Sequence, residues 1–212
     1  MLRNMNKLII ILTALLVATG CDFTTPGEYD RFKPSLVHAP DYTGVPEGLV
    51  FPSSVQVSSD FTAEELDGVL QSIDAWKVRT NGVVKLDVTI GNDPEAPCRI
   101  FPVDGLIPDA ETALGFTRSG WSYTSCDIEI SRQMIQEQQD AITSHRGKTR
   151  DMTTVMFQIS MHEFGHVFGL AHVEEPSSIM FHSYSPKNVT LDDDALNAFC
   201  EHRGCPDGTA AL

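Results

Sequence analysis

Residues 162–172 read His-Glu-Phe-Gly-His-Val-Phe-Gly-Leu-Ala-His, and this string restricts what the chain can build more than any other stretch. Residues four apart share one face of a helix, so His162 and His166 can reach a single ion together. His172, six residues further on, cannot share that face. The chain has to turn, and Gly169 is where it can, because glycine takes positive φ without a steric penalty. Three imidazoles then converge on one point. Zinc accepts imidazole nitrogen at about 2.0–2.1 Å and favours a tetrahedron, so three protein ligands leave the fourth position open. Glu163 is not a ligand in this scheme. It faces the open position, where it can take a proton from water and later deliver it to a leaving amine. With zinc to polarise a carbonyl and activate water, His162, His166, His172 and Glu163 form the set that hydrolysis of an internal peptide bond requires. A lone histidine on a helix is usually a surface or satisfied core residue. Three histidines, a glutamate and a glycine at fixed offsets inside a predicted helix are far more specific than the five-residue motif alone.

The 212 residues suffice for one domain with a proper core and not for two large ones. The formal net charge of −14 repels phosphate backbones, which excludes nucleic acid as an expected partner. At the start, Arg3 and Lys7 precede an apolar run from Leu8 to Ala18 that is too short for a comfortable membrane span. Ala18-Thr19-Gly20-Cys21 resembles a bacterial lipobox, although leucine is more usual where Ala18 stands. We expect residues 1–20 to be a signal peptide and Cys21 to be the lipidated new N-terminus, with plain secretion as the alternative. Residues 21–52 then form a flexible tether, punctuated by Pro26, Pro34, Pro40, Pro46 and Pro52. Residues 53–212 form the catalytic domain, expected as a monomer on the bacterial cell envelope. Export makes disulfides permissible. The simplest pairing of the remaining cysteines is Cys98 with Cys126 and Cys200 with Cys205. The shorter loop would contribute about 2 kcal/mol and the longer about 3.5 kcal/mol by chain entropy.

Periodicity gives the coarse plan. Thr62 caps a helix and Glu65 closes a capping box, with Leu66, Val69, Leu70, Ile73 and Trp76 or Val78 on one face. Val84–Ile90 alternates as a half-buried strand. Arg99–Val103 and Leu114–Arg118 are further strand candidates. Cys126–Ile130 alternates with Ile128 and Ile130 inward and Asp127 and Glu129 outward. Thr153–Leu170 is the central helix, capped by Asp151 or Thr153, and Thr190 caps a last helix with Asp193 bonding back. The fold class is α+β around one sheet.

The full string, H-E-x-x-H-x-x-G-x-x-H, resembles the metzincin signature, and Ser178-Ile179-Met180-Phe181 resembles its Met-turn. Within that group the stretch is most similar to the matrixins, the matrix metalloproteinase type. Pro176 lies between His172 and Met180, and Tyr184 follows Met180 by four, as in those enzymes. The astacin pattern fits less well, since His182 stands where their tyrosine would. The resemblance implies a twisted, mostly parallel sheet over two long helices and a small C-terminal subdomain with a final helix. It implies Met180 as a hydrophobic floor beneath the histidines, and Phe181, Tyr184 and Pro186 in the wall of the pocket that takes the residue after the scissile bond. It also implies an antiparallel edge strand that pairs with substrate backbone, for which Leu114, Gly115, Phe116 and Thr117 are the candidates. The matrixin cysteine-switch segment is not found, nor is the histidine-rich segment that holds a second zinc; His145 and His182 are too scattered for that. Calcium is left open through Asp104, Asp109, Asp127, Glu129 and Asp192–Asp194, without an EF-hand loop. His182 reads as a surface residue of the Met-turn region. The expected activity is therefore that of a zinc endopeptidase acting on protein or peptide. The alternative is an inactive zinc-binding envelope lipoprotein that binds peptide or protein partners.

Overall fold

A computed structural model describes residues 52–205 apart from 109, 120–124, 147–148 and 185–189. The Cys21 lipidation site, Pro186 and Asp109 therefore lie outside the described residues, as do the signal peptide and nearly all of the tether. In chain order the elements are β1 (Ser54–Val57), α1 (Ala63–Arg79), β2 (Asp87–Ile90), β3 (Cys98–Val103), β4 (Gly115–Ser119), β5 (Cys126–Ser131), α2 (Arg132–Arg146), α3 (Met152–Val167) and α4 (Asp193–Arg203). None of the described helices is long and apolar enough to cross a membrane.

The five strands form one sheet in the order β2-β1-β3-β5-β4. All neighbours are parallel except β4, which runs antiparallel to β5 along one edge. Val55, Val57, Ile100, Ile128 and Ile130 are essentially fully buried and form the sheet's contribution to the core. Asp127 and Glu129 instead pair with Arg99 and Arg118 on the partly exposed face. Alternation was the correct guide for β5, because it lies inside the sheet with one face packed and one face wet.

Alternation was a poorer guide for residues 84–90. Val84 and Leu86 are buried, but the strand begins only at Asp87, and Ile90 is 56% exposed. The reason is position: β2 is the sheet's other edge, and among the described residues Val88 of the strand packs partly on the core while Asp87, Thr89 and Ile90 are exposed.

Helix α1 starts as its sequence dictates. The Thr62 hydroxyl accepts from the Glu65 backbone N–H, and the Glu65 carboxylate accepts from the Thr62 N–H at 2.8 Å. Val69, Ile73 and Trp76 are buried, whereas Val78 points outward at 72% exposure. The helix packs on α3 at very short range. A Cβ on Gly68 would lie 2.4 Å from the Thr153 carbonyl oxygen and 2.7 Å from the Met156 Cβ, so only glycine lets the two backbones approach this closely.

Two helix readings need correction. Arg132–Arg146 forms a full helix, α2, that the hydrophobic pattern does not announce. Its side chains are mostly polar, and its few apolar residues, Met134, Ile135, Ala141 and Ile142, fall on one face as two pairs seven residues apart, a pattern easily passed over in so polar a stretch. The last helix is capped by Asp192, not Thr190: its carboxylate accepts from the Ala195 N–H at 2.9 Å. For the central helix the cap is Asp151, whose carboxylate accepts from Thr154 N–H. Disulfides join Cys98 to Cys126, which are register partners on β3 and β5, and Cys200 to Cys205 at the end of α4.

Candidate metal centre and active site

Helix α3 passes through the middle of the molecule and is buried on nearly every side. Its back is held by α1: the Trp76 indole N–H donates to the Met161 carbonyl at 3.0 Å, and Trp76 packs edge-on against Phe168 at 5.0 Å. The helix ends at Phe168, and Gly169 follows with φ of +88°, which turns the chain back on itself. The Leu170 N–H then bonds the Gly165 carbonyl at 2.9 Å, and His172 comes round to face His162 and His166. The three Nε2 atoms lie 3.0–3.1 Å from one another.

Hydrogen bonding fixes which nitrogens face inward. His162 Nδ1 lies 2.7 Å from the Ile179 carbonyl oxygen, and His166 Nδ1 lies 2.8 Å from that of Leu170. A carbonyl only accepts, so each Nδ1 carries the proton and each Nε2 presents a bare lone pair. Burial, repulsion from His166 and the field of His182 push the His162 imidazole down to about 3, with the Ile179 carbonyl opposing. Burial also lowers His166, against the Leu170 carbonyl, and burial followed by the neighbouring histidines takes His172 well below its ordinary value. Neutral imidazoles with lone pairs converging cannot satisfy one another by hydrogen bonding. They need a cation, and the spacing suits one: bonds of about 2.0–2.1 Å in a tetrahedron imply nitrogen separations of roughly 3.3 Å. Among the described residues these three form the one cluster able to hold a metal ion. Asp104, Asp127, Glu129 and Asp193 are instead paired with arginines, and Asp192 serves as a cap.

Met180 packs against Gly165, the neighbour of His166 in the chain. It is 1% exposed, and a Cβ on Gly165 would fall 2.3 Å from its sulfur, so the missing side chain at Gly165 makes the room for the methionine. The turn that carries Met180 is tied at both ends. Val173 N–H donates to the Met180 carbonyl at 3.0 Å, and the Asp192 carboxylate accepts from the Ile179 N–H at 2.6 Å and from the Ser178 hydroxyl. Asp192 therefore holds the carbonyl that orients His162 while also starting α4. On sequence alone Asp192 stands only among the open calcium candidates. Gly165 stood inside the string without any assigned role.

Glu163 is 1% exposed and lies against the edge strand β4. The Thr117 hydroxyl is 2.7 Å from its Oε2. Gly115 and Thr117 point from β4 toward α3, whereas Phe116 is half-buried under the Arg118 guanidinium at 4.8 Å. Leu114, the first residue of the proposed edge segment, precedes the strand and is buried. Beyond the Met-turn, Phe181 packs against His182, whose ring centroid lies 6.4 Å from that of His172. Tyr184 is half-buried and meets Arg150, which also donates to Gln158 on α3 at 2.5 Å. His182 is half-buried and close to the histidine group, so it is less peripheral than a surface reading implies.

A mixed sheet with an antiparallel edge, a buried helix carrying two histidines and a glycine turn to the third fit a metzincin-like fold with a zinc-peptidase site. Residues 121–201 match the family model of the matrixins, and the triad and Glu163 lie inside the matched stretch, which together support a zinc metalloendopeptidase. Its substrate is accordingly protein or peptide.

Proposed function

We propose that the chain is an envelope-tethered endopeptidase that carries one catalytic zinc and binds its substrate as an added strand along β4. The observation that carries this reading is the convergence of three histidine Nε2 atoms within 3.0–3.1 Å of one another beside a buried Glu163. His162, His166 and His172 would hold the ion, which when bound supplies Lewis acidity to water and to the scissile carbonyl. The chain's own residues do the rest. Glu163 takes the proton of the attacking water on a carboxylate oxygen and delivers it to the departing amide nitrogen. The carbonyls of Ile179 and Leu170 hold the rings of His162 and His166 in the tautomer that keeps Nε2 free.

β4 is an antiparallel strand at the sheet edge, with β5 on its inner side. Its outer backbone groups suit an extended peptide, which would be fixed by main-chain hydrogen bonds with side chains alternating to either side. Phe181, Tyr184 and Pro186 would border the pocket for the residue after the cleaved bond. The Cys21 lipobox supports attachment to a bacterial envelope through an N-terminal lipid, with the domain acting as a monomer at the end of a proline-rich tether.

Cleavage-site profiling on a proteome-derived peptide library, with and without chelator, tests the enzymatic part. Chelator-sensitive cleavage at internal bonds is expected. Stoichiometric zinc without any cleavage would favour the alternative, a zinc-binding lipoprotein that only binds partners. Fractionation of cells expressing the full chain and a Cys21→Ser form tests the address. The native chain should sediment with membranes and the variant should not; equal partitioning of both would remove the lipid anchor.

A further inference from the structure

We propose that Thr117 is the positioning residue of Glu163, so that the strand at which substrate would dock also sets the orientation of the base. The inference rests on the peptidase reading above. A carboxylate that is 1% exposed needs hydrogen-bond donors, since burial removes the water that would otherwise solvate it. Thr117, 4% exposed, supplies one. Its Oγ1 lies 2.7 Å from Glu163 Oε2 and 3.2 Å from the Glu163 backbone carbonyl. A hydroxyl has one proton, and the nearer acceptor, the Glu163 side-chain oxygen, takes it.

The second oxygen is placed by the same strand. Alternation along β4 puts Gly115 and Thr117 on one face. A Cβ on Gly115 would come within 2.8 Å of Glu163 Oε1 and 2.9 Å of its Cγ. The carboxylate thus lies flat against β4, with Oε1 over the bare Cα of Gly115 and Oε2 held by Thr117. Threonine suits the task because its β-branch stiffens χ1 and presents the hydroxyl already oriented. A valine there would keep the shape and lose the proton; a serine would keep the proton and lose a methyl group.

The bland reading is that Thr117 is an ordinary strand residue whose hydroxyl found a convenient acceptor. The two readings part on what the variants do. The experiment compares zinc-loaded wild type, Thr117→Val and Thr117→Ser by peptide kcat and KM, zinc per chain and crystal structure. Thr117→Val should lose about 10–100-fold in kcat, the range for residues that orient a catalytic group. Its KM and zinc content should stay unchanged, and the Glu163 carboxylate should rotate away from β4. Thr117→Ser should keep the carboxylate in place and stay within roughly threefold of wild type. An undiminished kcat in Thr117→Val, equal losses in both variants, or loss of zinc in place of kcat would overturn the assignment. Should the wild type cleave no peptide at all, the peptidase reading fails separately, and the carboxylate orientation in the three structures still decides whether Thr117 positions it.

Discussion

Helices α2 and α3 are nearly equal in length and follow one another in the chain, yet they belong to different regimes. Of the 16 residues of α3, 11 are buried, including His162 and Glu163. α2 is solvated along most of its described length, with hydrogen bonds from Gln133 to Glu137 and from Gln136 to Asp140 along its own surface. Its firmest anchorage is at its start, where Arg132 binds Glu65 of α1 at 2.8 Å and Asp104 at 3.0 Å. A buried helix that carries polar chemistry has to be satisfied from all sides: by Trp76 behind, by β4 beside Glu163 and by the Met-turn at His162. A solvated helix can satisfy itself. Changes that touch α3 should therefore propagate to the metal centre, and changes to α2 should stay local.

The largest effect should come from Gly68→Ala, although Gly68 is not on α3. The new Cβ meets α3 backbone at 2.4 Å, and neither helix can yield without parting from the other. We expect a loss of about 3 kcal/mol in urea unfolding, at the upper end for overpacking. A loss under about 0.5 kcal/mol would show that the α1–α3 contact is softer than its geometry implies.

Next comes Asp192→Ala. It removes the acceptor for Ile179 N–H and the Ser178 hydroxyl and the cap of α4, for a loss of roughly 2 kcal/mol. Because the Ile179 carbonyl orients His162, zinc affinity should fall as well, by about 10-fold. Competition with a chromophoric chelator measures that. Unchanged affinity would separate the Met-turn from the ligand set.

A smaller, pH-dependent effect is expected at the junction of the two regimes. Burial raises the Glu65 carboxyl, but hydrogen bonds from Arg132 and Thr62 and the Arg132 charge outweigh it and hold the group below its ordinary 4.5. The folded value is the depressed one, so the stabilisation is complete above the unfolded value and disappears as pH falls through the folded one. Arg132→Gln should therefore destabilise by about 1–2 kcal/mol at pH 7. Its difference from wild type should shrink in thermal melts taken below pH 4.5. A constant difference across that range would assign the loss to packing. The smallest effect is the control: Gln136→Ala on the exposed face of α2 should shift stability by less than about 0.5 kcal/mol and leave zinc affinity alone.

The same contrast explains what the sequence disclosed. The string at 162–172, the capping box at Thr62, the alternation of β5 and the strand near Leu114 are all local signals, each complete within a few residues. α2 escaped because its one-sided apolar stripe rests on few residues, Met134, Ile135, Ala141 and Ile142, set in a strongly polar stretch. Thr190 reads as a cap because its side chain suits one and Asp193 follows three residues on; only the fold shows that Asp192 caps the helix and also reaches Ser178 and Ile179. Thr117 and Glu163 are 46 residues apart, and no periodicity joins them; topology does, by bringing the last strand edge against the metal helix.

Peptide cleavage and metal content, measured together on wild type and Glu163→Gln, decide whether the three histidines bind zinc and Glu163 moves the proton. Both proteins should bind one zinc per chain, and cleavage by the variant should fall by roughly 10²–10⁴-fold. Undiminished cleavage by Glu163→Gln, or a wild type with well under one zinc per chain, would contradict that assignment.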